Sequence, residues 1–275
     1  MADSGGGLFG SSSVSAAYRM HLEPVIFGPW ARRLVEFAGL QPGQKVLDVA
    51  AGTGVVARTA SEWVGRSGRV IASDISEDML AEVDRYGPTD SADIKTLVCA
   101  ATDLQLPDAS VDVVLCQQGF PFIPDRSAAV REMRRVLVPG GRAAVAVWLS
   151  GPRLEPFATY GDALAAVGVN EPFPGAYDTT RFTMPIEEVA DVLASGGLDD
   201  IEVTTQQVTL EWATPDAAAQ GISGTPYATT VVGLPPDRQD ALMTVLRQAM
   251  TDASARAVTH VMTAVLARGT RHQNR

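Results

Sequence analysis

The sequence predicts an α/β fold, a mostly parallel sheet with helices on both faces. Three observations carry that expectation. Val46, Leu47 and Val49 form an apolar run of strand length, as in a parallel strand covered on both sides. Within twelve residues that run passes through Gly52 and Gly54 into helix-start chemistry at Val55. Strand-like and helix-like stretches then alternate as far as residue 149.

In chain order, residues 1–13 are small and polar and read as a flexible tail. Residues 14–27 hold Tyr18, His21 and Phe27 and are broken by Pro24; Pro29 then opens a helix through Trp30, Leu34 and Phe37 that Gly39 ends. After the first strand, Val55, Val56, Thr59, Ala60 and Trp63 recur at helical spacing before Gly65. The second strand, 69–73, ends at Asp74, and Ser76 is placed to cap the next helix, with Met79 and Leu80 as its apolar contacts. Strands follow at 94–99 and 111–116, the latter delivering Gln117, Gln118 and Phe120 to the sheet edge. Asp125 caps a helix with Val130, Met133 and Leu137 on one stripe, which Pro139-Gly140-Gly141 is expected to terminate before a strand at 143–149. Residues 150–184 are punctuated by prolines and hold Tyr160, Tyr177 and other aromatics, a segment that reads as a substrate-covering cap. A helix at 186–194, a strand at 201–210, an insert at 212–256 with a helix from Pro236 to Met250, and a strand at 257–267 antiparallel to the one before complete the chain. No linker divides residues 14–275, which read as one domain.

The turn after the first strand is the chemical centre. Its glycines let a ligand touch the main chain, and the helix behind them offers unpaired N–H groups. Gly52-x-Gly54-x-x-Ala57, with the acid Asp74 20 residues past Gly54, fits a dinucleotide fingerprint. Asp48, four residues before Gly52, argues the other way, since a carboxylate there repels a diphosphate and suits the ammonium of an amino-acid-like cofactor. No lysine follows the turn, so a phosphate-cradling G-K-[ST] loop is excluded.

Asp48-x-Ala50-x-Gly52-Thr53-Gly54 resembles the first motif of the class I S-adenosylmethionine (SAM) dependent methyltransferases, in the subgroup similar to the ubiquinone/menaquinone-biosynthesis C-methyltransferases. Ser73-Asp74-Ile75-Ser76-x-x-Met79-Leu80, the 106–114 stretch from Leu106 to Val114, Pro124-Asp125-Arg126 and Leu137-Val138-Pro139-Gly140-Gly141 follow in the family's order. The resemblance implies a Rossmann-like seven-stranded sheet closed by an antiparallel C-terminal hairpin, and SAM as cofactor. It assigns cofactor contacts to Asp48, Ala50, Gly52, Gly54, Asp74, Ile75, Met79, Ala101, Thr102, Gln117 and Gln118. Asp74 is the position expected to accept from both ribose hydroxyls. The family's acid at the adenine amino group is here Ala100, which puts that contact in doubt. The family's lid helix corresponds to residues 14–40, so Tyr18, His21 and Phe27 are acceptor-pocket candidates alongside Phe120, Tyr160 and Tyr177; packing of Phe27, Trp30 and Leu34 on the core is the competing reading. His21 is the one candidate base.

Composition narrows the partners. A net charge of -10 and a pI near 4.8 disfavour nucleic acid and anionic membranes. Two isolated cysteines, Cys99 and Cys116, fit neither a disulfide framework nor a metal site and suit a reducing, cytoplasmic setting. The absence of an Asn/Asp-Pro-Pro-Tyr/Phe motif after the fourth strand turns the expectation to a small-molecule acceptor, apolar or aromatic, with a homodimer compatible with the sequence. A SAM-binding protein without transfer activity, such as a dimer partner, and an NAD(P)-dependent oxidoreductase are the alternatives.

Overall fold

A computed structural model describes residues 12–84, 91–170, 182–251 and 258–272. Among the described residues, eight strands form one sheet in the order β3-β2-β1-β4-β5-β8-β7, with the two-residue β6 (Thr183–Met184) beside β5. β1 (Lys45–Val49), β2 (Arg69–Asp74), β3 (Asp93–Val98), β4 (Val111–Gln117) and β5 (Leu137–Leu149) run parallel. β8 (Val258–Thr270) is antiparallel to both β5 and β7 (Asp199–Trp212). The strand order reverses between β1 and β4, and open parallel sheets bind ligands in the crevice beyond that point.

Because side chains alternate along a strand, each face of the sheet carries its own core. Val46, Val70, Val113 and Ala144 belong to one; Leu47, Val114, Val145 and Val147 belong to the other. Helices α2 (Gly28–Ala38), α3 (Val55–Val64) and α4 (Glu77–Asp84) cover the first face, where Trp30, Leu34, Ala57, Ala60 and Leu80 are buried. α5 (Arg126–Val136) and α7 (Ile186–Ser195) cover the second with Val130, Met133, Val189 and Leu193. An extra layer over the first face comes from α6 (Phe157–Ala166), α8 (Pro215–Gln220), α9 (Ala228–Gly233) and α10 (Pro236–Ala249). Among the described residues, no helix is long and apolar enough to cross a membrane.

Two local expectations are corrected. Pro24 does not break the N-terminal segment: α1 (Ser12–Ala17) runs into a π-helical stretch, Tyr18–Phe27, that carries Pro24 and leads into α2. The wider π turn accommodates a residue without an N–H that would disrupt an α-helix interior. Pro139-Gly140-Gly141 does not end α5, which stops at Val136; it lies inside β5, where the pairing slips between Val111 and Val113. Gly140 has φ +81°, and a Cβ on Gly141 would lie 2.9 Å from the Asp112 carbonyl oxygen, so two glycines make the irregular crossing to β4. The expected caps form: Asp125 accepts from the Ala128 amide at 2.8 Å, and Ser76 from Met79 at 3.3 Å.

Candidate active site

A cavity of about 410 Å³ opens at the C-terminal edge of β1, β2 and β4. Its polar end is built by backbone geometry. Ala50 and Gly52 (both φ +55°) and Gly54 (φ +84°) take left-handed conformations in the β1 turn. A Cβ on Gly54 would come within 2.7 Å of Val83, so this position also needs glycine for space. The turn is pinned to β2 by the Ala51 amide, which donates to the Ser73 carbonyl at 2.9 Å.

Asp74 closes β2 with its carboxylate oriented by the same turn: the Gly52 amide donates to Oδ2 at 2.8 Å and the Ser76 amide to Oδ1 at 2.9 Å. Burial raises its pKa, and the Ser76, Gly52 and Ile75 amides oppose that rise. Each oxygen keeps lone-pair capacity, so the carboxylate can accept from a pair of vicinal hydroxyls without losing its backbone partners. Ile75, half-exposed, and Met79 supply apolar surface beside it, and Ala100, Ala101 and Thr102 form the wall at the tip of β3.

At β4 the two glutamines are oriented by backbone partners that fix their amide ends. Gln117 Nε2 donates to the Phe27 carbonyl at 3.0 Å, and Gln118 Oε1 accepts from the Trp148 amide at 2.9 Å. This leaves an acceptor on Gln117 and a donor on Gln118 buried without a hydrogen bond, both on residues of the cavity wall. Gln118 is itself left-handed (φ +58°), and Gly119 packs so tightly under the β1 turn that a Cβ would lie 2.5 Å from that of Ala50.

The far end is apolar. Tyr18, Leu22, Phe27, Phe122, Trp148, Leu154, Phe157, Phe182 and Pro226 line it. Tyr18 stacks on Phe27 with centroids 4.7 Å apart, Trp148 lies 6.3 Å from Phe27, and Phe122 lies 4.9 Å from Phe182. The π-helical geometry matters here. At about 80° per residue, positions 18, 22 and 27 fall on one face, whereas at the roughly 100° of an α-helix Phe27 would point away from Tyr18.

Of the sequence-predicted residues, Ala50, Gly52, Asp74, Ile75, Met79, Ala101, Thr102, Gln117, Gln118, Tyr18 and Phe27 line the cavity. Gly54 shapes the turn from behind. Asp48 lies beneath the wall, 1% exposed, on the sheet face it shares with Val46. Burial pushes its pKa well above the usual carboxylate range, with the Ala57 amide and the Arg58 charge opposing this and Asp74 adding to it. His21 is half-buried off the cavity, and burial lowers its pKa. Phe120 is fully buried in the second core, and the Tyr160 hydroxyl donates to the Ala218 carbonyl at 2.7 Å in the first. Tyr177 lies outside the described residues. Trp148, Leu154, Phe122 and Pro226 were not singled out from sequence; each is brought in by tertiary packing from a segment without a motif.

Residues 47–145 match a family model described as a methyltransferase domain. The ubiquinone/menaquinone biosynthesis C-methyltransferase UbiE of Shewanella sp. (strain W3-18-1) is 36% identical over 139 residues, 48% of this chain and 55% of that one. Over residues 47–145 this chain carries a methyltransferase domain. The chain spans about half the length of the curated relatives it matches. Solved structures share the domain's architecture well beyond the matched segment. A phosphoethanolamine N-methyltransferase 2 from Haemonchus contortus in complex with SAM aligns with TM-score 0.60 at 18% identity, covering 96% of this chain and 58% of that one. The [4+2]-cyclase SpnF aligns with TM-score 0.54 at 17% identity, covering 90% and 82%. Both are likenesses of fold.

The methyltransferase domain's donor set suits an adenosine bearing an amino-acid tail. The cavity wall offers a hydroxyl-accepting carboxylate, a glycine cradle and one orphaned acceptor and donor, and among its described residues no lysine or arginine that would favour a diphosphate.

Proposed function

We propose that the chain transfers a methyl group from SAM to a small, apolar, aromatic acceptor. Asp74 holds the ribose hydroxyls, Ile75, Met79, Ala101 and Thr102 flank the adenine, and Ala50, Gly52, Gln117 and Gln118 receive the methionine end. Bound there, the sulfonium supplies a methyl group that is already activated, so the chain's own task is alignment and exclusion of water. Tyr18, Phe27, Trp148 and Phe157 provide the rigid apolar wall for both.

The observation that carries this reading is the division of one cavity into an acid-bearing end at Asp74 and an aromatic end without a poised base. Among its described lining residues the titratable side chains are Asp74, Cys99 and Tyr18, and burial pushes the Cys99 thiol up. Such a site favours a nucleophile that need not lose a proton to the protein before transfer, for example a carbon of an electron-rich hydroxylated ring. The UbiE likeness points to the same acceptor class. Incubation with SAM and a panel of hydroxylated aromatics, reading S-adenosylhomocysteine (SAH) and the methylated product by mass spectrometry, tests it. Turnover of polar amines in preference to aromatics would overturn the acceptor assignment.

A further inference from the structure

Thr53 sits between the two left-handed glycines of the cofactor turn and is 1% exposed. Its hydroxyl donates at 2.8 Å to Oε2 of Glu23, a residue of the π-helical stretch 30 positions earlier. Arg58, on the first turn of α3, ion-pairs with Glu23 and donates from Nη1 to the Thr53 carbonyl at 2.6 Å. The two charged side chains are only 13% and 14% exposed, so this is a shielded pair whose partners depend on each other. Glu23 lies between Leu22 and Phe27, the residues that with Tyr18 present the π-helical face to the aromatic end of the cavity. Gln117 ties the end of the same stretch, through the Phe27 carbonyl, to the tip of β4.

We propose that Glu23 is a positioning residue coupling the cofactor turn to the acceptor wall: a ligand seated at Gly52 to Gly54 orders the helix carrying Tyr18, Leu22 and Phe27 through the Thr53–Glu23–Arg58 contacts. This rests on the cofactor reading above. It makes acceptor-wall order a consequence of cofactor binding, and by reciprocity makes wall integrity a determinant of cofactor affinity.

The test is amide hydrogen exchange on the full chain with SAH as the probe, in the wild type, Glu23→Gln and Thr53→Val. In the wild type SAH slows exchange at residues 18–27 as well as at 52–58 and 69–76. In E23Q, SAH affinity falls about fivefold or more, and at saturation 69–76 stay protected while the added protection of 18–27 is lost. T53V, which keeps the ion pair, moves in the same direction by less, and it decides the matter if E23Q does not fold by circular dichroism. Wild-type-like protection of 18–27 in the folded variants overturns the coupling. So does wild-type protection confined to 52–58 and 69–76. Failure of SAH to bind the wild type overturns the functional reading and the coupling with it.

Discussion

The two ends of the cavity are made in different ways. The polar end is local: the turn at Ala50 to Gly54 and the tip of β2 at Asp74 are neighbours through parallel pairing, and their hydrogen bonds run between backbone amides and one carboxylate. The aromatic end draws on the π-helix, the segment after β4, the tip of β5, the start of α6 and the insert around Pro226, so no short stretch contains it. A turn whose shape is set by glycine conformation tolerates little change, whereas a wall of interdigitating rings can be recut residue by residue. The cofactor end should therefore be sensitive and uniform in its response, and the acceptor end graded.

The sharpest contrast comes from Asp74→Ala. Losing charge-assisted bonds to two hydroxyls at about 1.5–3 kcal/mol each predicts SAH binding at least about 100-fold weaker by calorimetry, with the fold retained by circular dichroism. Affinity within a factor of three of wild type would remove Asp74 from the cofactor contacts.

Asp48 separates stability from binding at the same end. Its pKa is raised in the folded state, so the native protein holds a proton that the unfolded chain releases, and stability falls as pH rises from the ordinary value of 3.8. Asp48→Asn removes that cost. Its melting temperature should exceed that of the wild type near pH 7 by about 2–4 °C for each kcal/mol gained, and the two curves should converge near about pH 4. Because Asp48 lies beneath the wall, SAH affinity should fall less than in D74A. A wild-type protein that stays as stable as D48N across the range would show that the carboxylate is compensated.

At the aromatic end, Phe182→Ala opens the pair with Phe122 at the cavity rim. Removing one partly exposed ring should lower kcat/KM for the aromatic acceptor about tenfold, on the order of 1.4 kcal/mol, with SAH affinity unchanged. A parallel loss of SAH affinity would mean the two ends are not separable at this ring. The smallest effect is expected from Ala100→Asp, which returns an acid to the wall at the tip of β3. One solvent-accessible charge-assisted bond to an adenine amino group predicts SAH binding tightened about threefold to tenfold. No gain, or a loss, would place the adenine edge elsewhere.

How much of this was legible in the sequence follows from the same division. Gly52, Gly54 and Asp74 were readable because each is a local rule: a glycine where the backbone turns, an acid where a strand ends. The caps at Ser76 and Asp125 were readable for the same reason. Residues of the acceptor wall were readable where the lid helix supplied them, as with Tyr18 and Phe27, and as a stretch in the proline-punctuated 150–184 segment, whose Leu154, Phe157 and Phe182 line the cavity. Trp148 looked like the end of an ordinary core strand, and its place on the wall depends on Gln118 receiving its amide from the neighbouring strand. Tyr160 carries the right chemistry but turns into the core, because α6 needs a buried ring whose hydroxyl can reach the Ala218 carbonyl. Phe120 is taken by the second core in the same way. Glu23 was invisible: its partners Thr53 and Arg58 stand 30 and 35 positions away, and nothing in local pattern marks an acid in a helix as a clamp.

Isothermal calorimetry of the wild-type chain with SAH, with NADH as the comparison, bears most directly on the claim that Asp74 and the glycine turn receive a nucleoside with an amino-acid tail. One-site binding of SAH with no heat from NADH is the predicted result. Uptake of NADH and none of SAH would contradict it.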